Sequence, residues 1–225
     1  MNRLIFAGLF TEGSTDIRFL ESIVKKTIDN IAFECSGNIE TELLEIHINK
    51  AGLGFTEQVL TASRVGTEKF SITLLCVHTD SDAATDIGVF ENKITPAKTA
   101  LENPDNNENE YCKILVTIVP VQMTEAWMLA DKILLKEQIG TSKTDKELGI
   151  NKTSESFSDP KKIIEDAIRI ARQDLTKKRR KELTISELYL PIGQQLDLKK
   201  LDNVASYQKF KENLRDAFRQ LNFLY

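Results

Sequence analysis

Four carboxylates stand just past runs of apolar residues: Glu12 after RLIFAGLFT, Asp80 and Asp82 after FSITLLCVHT, and Glu125 after KILVTIVPVQMT. Asp80 and Asp82 are two residues apart, so in an extended chain both side chains leave on the same side. Two carboxylates about 4 Å apart repel by roughly 4 kcal/mol at an effective dielectric of ~20. Either one of them holds a proton or a cation bridges them. Oxygen ligands without a Cys or His pair favour a hard divalent ion, Mg²⁺ or Mn²⁺. Such an ion keeps positions open for water and phosphate oxygens, which suits phosphodiester or phosphoanhydride chemistry.

Other chemistries fit less well. DSDAATDIGVFE, residues 80–91, has acids at the first, third, seventh and twelfth positions of a calcium loop. Thr85 stands at the sixth, where the turn requires glycine, and a strand pattern precedes the loop instead of a helix. EGST, residues 12–15, lacks the lysine and the glycine spacing of a P-loop. No Ser-His-Asp set can be assembled. Cys35, Cys76 and Cys112 are odd in number and far apart, and two of them lie in apolar runs. They read as buried thiols rather than as a disulfide framework or zinc site. His47 and His78 are too few for a histidine metal cage; His78 reads as a structural imidazole. Asp16, Asp86 and Asp131 read as helix caps or solvated loop acids, and Trp127 as a packing residue. Lys50 is either a solvated lysine or a cation that stabilises a transition-state phosphate.

The acids need a scaffold that brings strand ends together. Residues 3–11, 43–50, 70–78 and 113–121 read as strands, the third apolar enough to be buried on both faces. Between them lie helical patterns. Leu20, Ile23, Val24, Ile28 and Ile31 share one face over residues 17–31, with Ser14 or Thr15 as the cap and Asp16 in the first turn. Shorter helices are expected over 55–66, from Pro96 onward, and over 124–140, the last ending at Gly140. Strand–helix alternation predicts an α/β fold: a Rossmann-like parallel sheet of about four strands with helices on both faces. In such a sheet the C-terminal strand ends share one edge, where ligands bind. Residues 141–159 are polar and read as a linker or loose loop. Helices come next from Asp159–Pro160 and from about Ser206, the latter with Phe210, Leu214, Ala217, Phe218 and Leu221 inward. The expected organisation is a domain over 1–140 and a C-terminal α-helical extension, 141–225, packed on it.

Hydrophobic residues make up 41% of the 225 and charged residues 28%, a mix seen in globular proteins. No apolar run approaches the ~20 residues of a membrane span, and the N-terminal apolar run is not followed by a small-residue cleavage site. A cytoplasmic protein with no membrane partner is the expectation. Net charge is −4, so the whole chain is not a basic nucleic-acid binder, but charge is uneven. ENPDNNENE, 102–110, is acidic and polar; KKRRK, 177–181, is basic and reads as a solvated helix end or a phosphate-backbone contact.

EGSTD at 12–16 followed by DSD at 80–82 resembles the Toprim fold of topoisomerases, primases and the overcoming-lysogenization-defect nucleases. VPVQMTEAWMLAD at 119–131 and the closing NVASYQKFKENLRDAFRQL at 203–221 are similar to a Toprim-like bacterial family, domain-of-unknown-function family 4276. The likeness touches most of the chain. It implies a Toprim-like domain and an Mg²⁺- or Mn²⁺-dependent nuclease acting on DNA or RNA. It further implies Glu12 as metal ligand or general base, Asp80 and Asp82 as metal ligands, and Glu125 as a further acid of the site. It also implies an ATPase partner in anti-phage defence, either for an active nuclease or for a non-catalytic binding module. A homo-oligomer is compatible with both.

Overall fold

In a computed structural model, residues 3–103, 105–107, 109–180 and 182–224 are described, the side chains of Lys177 and Arg180 excepted. Pro104 and Glu108 of the acidic loop and Lys181 of the basic run therefore lie outside the described residues. Four strands, β1 (Arg3–Phe10), β2 (Ile39–Glu45), β3 (Leu74–His78) and β4 (Leu115–Ile118), form one all-parallel sheet in the order β2-β1-β3-β4. Helices α1 (Ser14–Glu34), α2 (Phe55–Phe70) and α3 (Thr95–Glu102) connect them. After β4 come α4 (Glu125–Met128), α5 (Lys132–Ile139), α6 (Pro160–Ala171), α7 (Tyr189–Gln195) and α8 (Ala205–Gln220). The α/β class expected from the alternation is the class observed. No helix of the described residues is long and apolar enough to cross a membrane.

Strand alternation sends side chains to two cores. Ile5, Ala7, Leu9, Leu74, Cys76, Val116 and Ile118 face α1 and the C-terminal helices in the larger one. Phe10, Leu75 and Val77 face α2 and α3 through Val59, Ala62, Ala97 and Leu101. On α1 the five apolar positions read from the sequence are all fully buried, each worth roughly 1.5–3 kcal/mol. The C-terminal helices share this core. Trp127 on α4 is fully buried, donates to Ser206 Oγ at 2.7 Å and meets the Tyr207 ring edge-on. Helix α7 lies so close to α1 that a Cβ on Gly193 would sit 2.4 Å from the Phe19 carbonyl oxygen. Only glycine permits that approach.

Five local expectations are corrected. β2 runs over Ile39–Glu45, not 43–50, because IETELLE supplies the polar–apolar alternation of a sheet-edge strand paired from Arg3 to Leu9. The cap of α1 is Gly13, whose N–H donates to Asp16 Oδ2 at 3.0 Å, not Ser14 or Thr15. Helix formation before Pro96 begins earlier, at Ile87–Val89, and passes through a π turn, Phe90–Ile94. The wide turn ends just before Thr95 and Pro96, where a proline ring would otherwise crowd an α-helical carbonyl. The single helix expected over 124–140 is broken, because Asp131 caps a new one: its Oδ1 accepts from Leu134 N at 3.1 Å. Residues 141–159 are no loose linker. Leu148, Ile150 and Phe157 are buried in the main core, and Lys136 pairs with Asp145 at 2.7 Å. The Asp159 cap of α6 and the start of α8 stand as expected.

Candidate acidic site at the sheet edge

The chain runs from β1 out to β2 and returns to the other side of β1 for β3. The switch in strand order thus falls between β1 and β3, the usual ligand position in an open α/β sheet. Glu12 comes after β1 and Asp80 after β3. Thr79 joins them: its hydroxyl donates to Glu12 Oε2 at 2.7 Å and accepts from Lys93 Nζ at 2.9 Å. Lys93 also stands 3.6 Å from Glu12 Oε2. Lys50 clamps the loop after β1, donating to the carbonyls of Thr11 and Glu12 at 2.6 and 2.7 Å over the Phe10 ring. Burial lowers the Lys50 pKa, while Glu12 and Asp16 oppose that shift.

Asp80 is held from the other side. Its Oδ1 accepts from Thr124 N at 2.8 Å and Thr124 Oγ1 at 3.1 Å, and lies 3.2 Å from His78 Nε2. His78 is fully buried. Burial pulls its pKa down, but the hydrogen bond and charge of Asp80, with the charges of Asp16 and Glu12, outweigh it and raise the value. The same Nε2 also lies 2.9 Å from Thr124 Oγ1. Nδ1 faces Asp16 Oδ2 at 3.9 Å and has no hydrogen-bond partner among the described residues. Asp16 in turn has its pKa raised by burial, against the pull of His78.

Asp82 departs from the extended geometry assumed from its spacing. Its φ is +50°, the left-handed region, and its N–H donates to Gln122 O at 2.8 Å. That turn breaks the alternation that would carry Asp80 and Asp82 to one side. Asp82 is exposed, and its pKa is raised by partial burial and by the charges of Asp80 and Glu12. Glu125 is 4% exposed and accepts from the Tyr189 hydroxyl. Burial raises its pKa and the tyrosine bond opposes the shift.

Glu12, Asp80 and Asp82 thus stand on one edge within electrostatic reach of one another, and Glu125 closes the inner side. Their oxygen-only chemistry fits a hard divalent ion. Among the described residues, no three His, Cys, Asp or Glu side chains close into a group able to hold a metal. Thr79, Lys93, Thr124 and Tyr189 were missed by sequence reasoning. Thr79 and Thr124 adjoin the acids in the chain and were legible as neighbours. Lys93 arrives on the π turn, and Tyr189 from 64 residues away. Comparison with protein-family models, curated proteins and solved structures returned no match.

Proposed function

We propose that this protein is a Toprim-type nuclease that hydrolyses phosphodiester bonds with Mg²⁺ or Mn²⁺. The observation that carries the reading is the hydrogen-bonded run Glu12–Thr79–Lys93 beside Asp80, at the switch point between β1 and β3. Glu12, Asp80 and Asp82 would hold the ion, which when bound polarises the scissile phosphate and acidifies an attacking water. Glu12, half exposed and oriented by Thr79, would take the proton of a water that attacks phosphorus while the P–O bond to the leaving sugar oxygen breaks. Lys93 supplies positive charge beside the oxygens on which negative charge builds. His78 and Thr124 fix the Asp80 carboxylate, leaving its other oxygen without a hydrogen-bond partner among the described residues.

Incubation with plasmid, single-stranded DNA and tRNA, in Mg²⁺, Mn²⁺ or EDTA, tests the proposal. Metal-dependent cleavage is expected and should fall at least about 100-fold in Glu12→Gln and Asp80→Asn, the scale of losing a general base or an electrostatic catalyst. Cleavage that persists unchanged in both variants would sink the assignment.

A second reading starts from the placement of the acids: among the described residues, no three His, Cys, Asp or Glu side chains form a group that could hold a metal ion. On that reading the protein is a non-catalytic module that docks on an ATPase. Calorimetry with millimolar Mg²⁺ separates the two. Absence of binding heat, together with no cleavage, favours the module.

A further inference from the structure

Residues 161–180 carry eight basic side chains and three acidic ones, in a chain of net charge −4. The rest of the molecule is therefore −9, from 22 basic and 31 acidic residues. On α6, Lys162 and Arg169 fall on the face opposite buried Ile164 and Ala167, Lys161 is exposed at its flank, and half-buried Arg172 caps the helix end. Glu165 and Asp166 share that face, and Arg169 neutralises Asp166 at 3.0 Å. Arg172 Nη2 donates to the Arg179 carbonyl at 2.5 Å, tying the end of α6 to the basic turn Lys177–Arg180. Lys178 and Arg179 are exposed there. Arg172 Nε is buried with no hydrogen-bond partner among the described residues, beside a cavity lined by Glu165, Arg169, Arg172 and Thr184.

The ridge points back to the acidic edge. The charge of Lys161 acts on Glu125, and α4 packs against α6. At about 1.5 Å rise per residue, Lys161 and Arg172 stand roughly 17 Å apart along the helix. A DNA duplex carries one phosphate charge per about 1.7 Å of axis, so the ridge matches about five base pairs.

We infer that this ridge, from Lys161 along α6 to Lys178 and Arg179, docks the phosphate backbone of double-stranded DNA and leads it to the acidic edge. Single-strand binders add aromatic stacking platforms to a basic groove, and residues 158–188 contain no Phe, Tyr or Trp. Double-stranded-RNA-binding domains span about 16 base pairs, some three times the Lys161–Arg172 span. The inference rests on the proposed nuclease only for the cleavage of DNA once it is docked.

Fluorescence anisotropy with a labelled duplex of about 25 base pairs in EDTA tests docking without cleavage, at a length that exceeds the ridge several-fold. The probe would be titrated with wild type, the pair Lys178→Glu/Arg179→Glu, and a control pair Lys69→Glu/Lys98→Glu. The basic-run pair should bind roughly 30- to 100-fold more weakly near 0.1 M salt, with a salt slope lower by about 1.8, from ~0.9 counterion per phosphate contact. The control pair should change affinity less than about threefold. All four substituted positions outside the acidic edge are exposed, and circular dichroism confirms folding. The inference falls if wild type does not bind the duplex at micromolar concentration in low salt, or if the control pair loses as much as the basic-run pair. It falls as well if single-stranded DNA or duplex RNA binds as tightly as duplex DNA. Ridge-dependent binding with no metal-dependent cleavage keeps the docking surface and removes the nuclease.

Discussion

The carboxylates of the sheet edge divide into an enclosed pair and an open pair. Asp80 and Glu125 are bound into the protein by Thr124, His78 and Tyr189. Glu12 and Asp82 meet solvent, touched by Thr79 and Lys93 on one side and a left-handed turn on the other. The same residue type after a strand thus does two jobs. A buried carboxylate needs fixed donors or it costs several kcal/mol, so its geometry is set before any ligand arrives. An exposed one keeps its hydration and its freedom to move onto a ligand.

Removing the anchor of the enclosed side should have the largest effect. Trp127→Ala empties a fully buried site beneath Glu125 and should cost about 3–5 kcal/mol, read by chemical denaturation. A loss below ~1 kcal/mol would mean that α4 is not fastened to the C-terminal helices. Tyr189→Phe deletes the phenol donor to the buried Glu125 carboxyl and should cost about 1–3 kcal/mol, the penalty of leaving a buried acceptor unsatisfied.

Glu125→Gln tests the same pair through pH. Burial raises the Glu125 carboxyl above its ordinary 4.5, so the folded chain holds that proton more tightly than the unfolded chain. The stabilisation is present below 4.5 and is lost as pH climbs through the raised value. Wild type should therefore lose stability relative to Glu125→Gln between pH 4.5 and neutrality, in paired thermal melts. A gap that widens in favour of wild type would contradict an enclosed carboxyl.

The open side should give the smallest change. Lys93→Ala removes a half-exposed ion pair at 3.6 Å and should shift stability by less than about 1 kcal/mol. Cleavage, by contrast, should drop at least about tenfold if Lys93 stabilises the reacting phosphate.

The alternation of apolar runs and helical faces was readable because each strand and helix announces its own period; Leu20 to Ile31 on α1 and Phe210 to Phe218 on α8 were found that way. The acids at the ends of β1, β3 and β4 were legible for the same reason. Asp131 was read as a cap or loop acid and caps a helix, but the break it makes in the segment 124–140 was not legible, since a residue that caps a helix and one that lies within it look alike until the backbone turns. Leu148, Ile150 and Phe157 were hidden in a polar stretch, and only a core surface presented by other elements gives three scattered apolar residues something to bury against.

Local sequence, then, determined the segments of β1, β3 and β4, the apolar faces of α1 and α8 and which strand ends carry acids, because these depend on neighbours two to four residues away. The fold alone decided that β1 and β3 lie side by side, that Lys93 reaches Glu12, that His78 turns its unpartnered nitrogen to Asp16 and that Tyr189 seals Glu125. Those pairings join residues far apart in the chain, and their strength depends on burial that exists only once the sheet and both helical layers have closed.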